Sequence, residues 1–159
     1  MRTWLLLAVA AIVLAGCGRK EQHAATLAAK PPPPPFNTEL SMKELMNHAI
    51  DPASDVVWAA SGTVVDERGT TDLSPKTKEG WRAVANNAAV LAELANVLML
   101  PGRAPAEPQW NRYATQLHNS AIAAMRAAER QDKDALFRTG GEVYDACTAC
   151  HKRYVIGER

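Results

Sequence analysis

Three apolar stripes with helical spacing fill the second half of this 159-residue chain and constrain its fold more than any other feature. Trp81, Val84, Ala88, Leu91, Ala95 and Leu98 alternate steps of three and four residues. Trp110, Ala114, Leu117, Ala121, Met125 and Ala128 do the same, and Ala135, Leu136, Val143, Ala146, Cys147, Cys150 and Tyr154 share a third face. Each set places its apolar side chains along one side of a helix, so three consecutive helices must bury their stripes against one another. Ser74-Pro75 reads as the start of the first, Pro101-Gly102 as its end, Glu107-Pro108 as the start of the next and Asp132 as the start of the last.

A further helix precedes them. Ser41 followed three residues on by Glu44 is a capping box, Leu40 can staple to Leu45, and Met42, Leu45, Met46 and Ala49 lie on one face. Asp51-Pro52 interrupts this segment, with Asp51 placed to cap a second piece that carries Val56, Val57 and Ala60. The two pieces read as one kinked helix. A loop from Gly62 to Leu73 follows, with an extended stretch at Thr63 to Val65. Four helices, the last three joined by short connections, predict an all-α fold, an antiparallel four-helix bundle over residues 38–159.

Near the end of the last helix stands Cys147-Thr148-Ala149-Cys150-His151. C-x-x-C-H is the spacing that fastens a c-type haem: two thiols one helical turn apart add to the porphyrin vinyl groups, and the next residue turns its imidazole to the iron. The chemical alternatives are a thioredoxin-like dithiol and half of a zinc site. The first wants a βαβ unit that the pattern does not show, and the second wants another pair of ligands. The expectation is therefore one covalent haem c on the C-terminal helix, with Cys147 and Cys150 as attachment points and His151 as axial ligand. Alanine-rich stripes with few aromatics make a modest core, so folding is expected to be coupled to haem attachment.

The N-terminus reads as an address. Met1-Arg2-Thr3 is a short positive region, Trp4 to Ala15 an apolar run too short for the roughly 20 residues of a membrane span, and Leu14-Ala15-Gly16-Cys17 ends it. These four residues resemble a bacterial lipobox. The resemblance implies that residues 1–16 are a lipoprotein signal peptide and that Cys17 is lipidated, anchoring a chain that faces the periplasm. Gly18 rather than an aspartate after the cysteine leans towards the outer membrane. Residues 17–37 form a tether whose five prolines, Pro31 to Pro35, hold polyproline II over roughly 15 Å. Cys17 assigned to lipid and Cys147 and Cys150 to haem leave no cysteine for a disulfide.

Four helices with C-x-x-C-H on the last resemble the cytochrome c′ family, the class II c-type cytochromes. Cys-Thr-Ala-Cys-His-Lys-Arg-Tyr, residues 147 to 154, is similar to that family's terminal motif, including Tyr154 as a haem-pocket aromatic. The resemblance implies that the sixth iron position faces the first helix. Its candidates are Met46, favoured for its depth in the helix, and Met42 as the alternative. His48 projects to another side, His118 adjoins the third-helix stripe, and Met99 and Met125 suit core roles. The family's arginine one turn before the axial position has no counterpart here, since Met42 or Thr38 stands in its place. Lys43, Arg82, Lys152 and Arg153 are the substitutes for pairing with a haem propionate.

No convergent acid and base pair, nucleophile motif or glycine-rich phosphate loop is visible, so no enzymatic activity is expected. Gly140-Gly141 reads as a point of close approach for the porphyrin or a neighbouring helix. A net charge of +1 gives no footprint for nucleic acid. The reading that remains is single-electron transfer to redox partner proteins of the cell envelope. The alternative is a five-coordinate binder of nitric oxide or carbon monoxide. Family members often pair as homodimers through the first two helices.

Overall fold

The computed structural model describes residues 36–155; the export signal, Cys17, His23 and the proline run expected from the sequence lie outside the described residues. The described chain is mostly helical, with one small two-stranded sheet.

The first helical rod runs through α1 (Met42–Leu45), a π-helical turn (Met46–Ile50) and α2 (Asp51–Ala59). Its start is the expected capping box: the Ser41 hydroxyl accepts from the Glu44 N–H, and the Glu44 carboxylate accepts from the Ser41 N–H at 2.8 Å. Leu40, the expected staple partner of Leu45, is half exposed and is not among the side chains packed on the core around the buried Leu45. α2 does begin at Asp51 with Pro52 in its first turn, as expected, but the expected side-chain cap is not there. Asp51 has helical dihedrals of φ −57° and ψ −52° and caps nothing with its side chain. The rod passes Pro52 by widening instead. An α-helix would press the proline ring on the His48 carbonyl and leave that carbonyl without its donor. Here the Asp51 N–H reaches five residues back to the Met46 carbonyl, a π turn. The wider turn brings Asp51 closer to the face of Met46 than an α-helical turn would.

The expected loop contains a hairpin. β1 (Thr63–Asp66) pairs antiparallel with β2 (Gly69–Asp72) around Glu67-Arg68, with Asp66 opposite Gly69. Gly69 at φ 120° takes a backbone conformation that other residues rarely adopt. The strands bury almost nothing, and Val65 is 75% exposed.

α3 (Lys78–Leu98) begins later than Ser74-Pro75 suggested. Ser74 gives both its N–H and its hydroxyl to the Asp72 carboxylate, at 2.9 and 2.7 Å, and so closes the hairpin rather than opening the helix. Thr77 is the cap, accepting from the Gly80 N–H at 3.1 Å. α4 (Pro108–Glu129) and α5 (Lys133–Tyr154) start where expected, and the Asp132 carboxylate caps α5 through the Ala135 N–H at 2.9 Å. The three long helices alternate in direction. The Trp110 indole at the start of α4 donates to the Leu98 carbonyl at the end of α3, and the Tyr154 hydroxyl at the end of α5 donates to Glu107 before α4.

Every member of the α3 stripe is buried, as are all of the α4 stripe except the half-buried Met125. Alanines at 121, 124 and 127 are fully buried and let α4 lie close to its neighbours. Two apolar clusters result. One gathers Leu45, Ile50, Leu91, Leu98, Trp110, Leu117, Val143 and Ala146 towards the C-terminal end of α5; the other gathers Val57, Trp81, Val84 and Leu136 towards its start.

The rod holds to α5 through α2, while Met46–Ile50 packs on α3. At the crossing the Trp58 indole donates to the Gly140 carbonyl at 3.1 Å, and a Cβ on Gly140 would stand 3.2 Å from the Ser61 hydroxyl oxygen. Gly140 therefore serves the neighbouring helix, whereas a Cβ on Gly141 would meet nothing. Thermal unfolding should separate the two. Gly140→Val is expected to cost about 1–3 kcal/mol through overpacking, and Gly141→Ala to add about 0.5–1 kcal/mol through helix propensity.

Candidate functional site

Cys147, Cys150 and His151 occupy the last two turns of α5, all half-buried. The three-residue step between the thiols keeps them on one side of the helix, and His151 follows on the adjoining edge. They meet the first rod across a cavity of about 30 Å³ lined also by Met46, Ile50 and Asp51, with Leu98, Tyr113, Ala114, Leu117 and Ala146 as its floor and sides. The wall includes Met46 and not Met42, which leans half-buried on the surrounding core. The π turn explains the lining on the rod. Met46, Ile50 and Asp51 are four and five residues apart, and only the widened turn sets the last of them on the same face as the first.

The remaining sequence candidates fall elsewhere. His48 is exposed. His118 is half-buried but bonded through Nδ1 to the Ala92 carbonyl at 3.0 Å. Met99 receives the Thr115 hydroxyl at 3.8 Å, and Met125 packs in the distant cluster. Tyr154 lies against Trp110 and Tyr113 edge to face, with centroids 5.0 and 6.3 Å away, and does not itself line the cavity. Arg153 reaches Glu107 at 3.4 Å, Lys43 and Lys152 are exposed, and Arg82 sits at the far end beside Ala128. Ile50 and Asp51 were missed, since a π turn leaves no periodic trace that α-helical counting can detect.

The thiols are not those of a reactive dithiol. Redox C-x-x-C pairs use a helix N-terminus to lower a thiol pKa, whereas this pair stands at a C-terminal end, where the helix dipole disfavours an anion. Burial pushes the Cys147 thiol up to about 11, helped by the neighbouring Cys150 and the Asp51 carboxylate, and burial also raises Cys150. Among the described residues no group of three or more His, Cys, Asp or Glu is placed to hold a bare metal ion.

For the haem that the motif implies, the donor set fits: two thiols, an imidazole and a facing thioether share one apolar-walled cavity. The volume is smaller than a porphyrin, with room for a water or two, so admitting the group takes a separation of the rod from α5. No known protein family, curated protein or solved structure matches the chain.

The thiol shift sets a pH dependence for the haem-free chain. A pKa raised in the folded state means that the folded chain resists losing the proton. The contribution is full below pH 9, the ordinary thiol value, and is lost as pH rises towards about 11. Urea unfolding of chain made without haem attachment should show this alkaline loss, and Cys147→Ala should reduce it to the share of Cys150.

Proposed function

We propose that this domain is a membrane-tethered c-type cytochrome of the class II kind, an antiparallel four-helix bundle that carries one haem c on its last helix and passes single electrons. The observation that carries the reading is the shared cavity, into which Met46 on the first rod and Cys147, Cys150 and His151 on α5 all enter. Cys147 and Cys150 would hold the porphyrin through thioether bonds, and His151 and Met46 would take the two axial positions, with Met42 as the alternative to Met46. When bound, the haem supplies a ferric–ferrous couple, which thioether ligation raises in potential.

The chain's own part is to exclude water and to keep the ligands still. Leu98, Leu117 and Ile50 make the cavity walls apolar. α5 fixes the spacing of its three donors by helical geometry alone. The rod is hydrogen-bonded to α5 at the Gly140 crossing, while Met46, Ile50 and Asp51 face the motif across the cavity.

Lipidation at Cys17 and the proline run would hold the domain off a bacterial envelope membrane, the outer one by preference, on its periplasmic side. There it would exchange electrons with redox proteins and act as a carrier, not as an enzyme. Among the described residues no helix is long and apolar enough to cross a membrane.

Optical spectra of a soluble version lacking residues 1–17, made with haem-maturation machinery, test the assignment. A low-spin spectrum with a weak far-red methionine-to-iron band, unchanged by carbon monoxide, is expected, and Met46→Ala should abolish that band. A high-spin spectrum that shifts with the gas would replace electron transfer by the binding of nitric oxide or carbon monoxide. A band that survives in Met46→Ala and disappears in Met42→Ala would move the ligand one turn.

A further inference from the structure

Among the described residues, one buried side-chain polar atom has no hydrogen-bond partner: Nε of Arg103. The residue is half-buried in the connection between α3 and α4, and its Nη1 donates to the Leu40 carbonyl at 3.0 Å. No carboxylate among the described residues pairs with it. A guanidinium cannot shed its charge, and a buried donor without an acceptor is costly. The side chain is therefore arranged for an acceptor that the described residues do not provide.

Its position says which one. The cavity lies at the end of the fold where α5 finishes, α3 finishes and the rod begins. Leu98, five residues before Arg103, lines the cavity, and Ala104, the next residue after it, packs on the surrounding core. Leu40, to which Arg103 is bonded, stands six residues before Met46 on the rod. Arg103 thus ties the connection after α3 to the segment that leads into the rod, at the end of the fold where the cavity lies. Binding the Leu40 carbonyl through Nη1 leaves the Nε and Nη2 edge free, and that edge is the one that grips a carboxylate with two parallel hydrogen bonds. Other cations offer less: Arg153 is engaged with Glu107, and Lys43, Lys152 and Arg82 are exposed.

We propose that Arg103 anchors a carboxylate of the bound group, a haem propionate, at the rod end of the cavity; this rests on the haem reading above. The sequence gives no hint of it, because the arginine comes from a connection 63 residues from the backbone it braces.

Haem content of the wild-type chain is read first. Absence of covalent haem there defeats the haem reading, and this proposal with it. With haem present, the reduction potentials of wild type, Arg103→Gln and Arg103→Lys are compared, with Arg82→Gln as a control at the far end. A cation beside the haem disfavours the ferric state, so Arg103→Gln should keep its haem and shift to lower potential. Arg103→Lys should recover part of the shift, and Arg82→Gln should show none. A potential in Arg103→Gln equal to wild type would overturn the proposal and leave Arg103 a brace for Leu40. Should the glutamine variant fail to fold, nitrogen NMR of the wild type decides. The Arg103 Nε–H resonance should move between ferric and ferrous protein, and an unmoved resonance would refute the assignment.

Discussion

The architecture around the motif depends on the contact between α2 and α5 at Gly140. With no side chain at that position, the Trp58 indole reaches the helix backbone at 3.1 Å and Ser61 sits against it. The first rod is hydrogen-bonded to the α5 backbone there, and nearer the cysteines it faces α5 across the cavity. One cluster of core residues closes over the hydrogen-bonded half, and the other surrounds the cavity at the opposite end.

Pro52 sets the second condition. Its missing N–H turns what would be a broken helix into a continuous rod with one widened turn, and that turn carries Met46, Ile50 and Asp51 to the same side. The apolar wall, the thioether and the carboxylate facing the motif follow from one residue that cannot donate a hydrogen bond. The raised Cys147 thiol is a further result of this packing, since burial between the rod and α4 removes water from it and Asp51 adds a like charge. A dithiol in these surroundings is suited to being consumed by a covalent attachment and poorly suited to exchange with other disulfides.

What the sequence disclosed was whatever repeats with the helical period or caps a helix locally. The stripes of α3, α4 and α5, the Ser41 box and the Asp132 cap are contacts between residues a few positions apart, and the structure has them all. Of the hairpin at Thr63–Asp72 only the extended stretch at Thr63–Val65 was legible; its return strand escaped because it is short, mostly exposed and without an alternating apolar face. Ser74 misled because Asp72, two residues away, competes successfully for its hydroxyl. At the site, the three motif residues were legible as a motif, and Met46 through its place on an apolar face. Asp51 and Arg103 were not, because one depends on a change of helical pitch and the other on a contact spanning 63 residues.

The central claim is that the two cysteines of α5 are spent on a porphyrin. The direct measurement is the intact mass of the full-length chain, exported with haem-maturation machinery, after denaturation, acid extraction and thiol alkylation. One haem retained by the polypeptide, with Cys147 and Cys150 both refractory to alkylation, is expected. A colourless chain in which both thiols alkylate would contradict it.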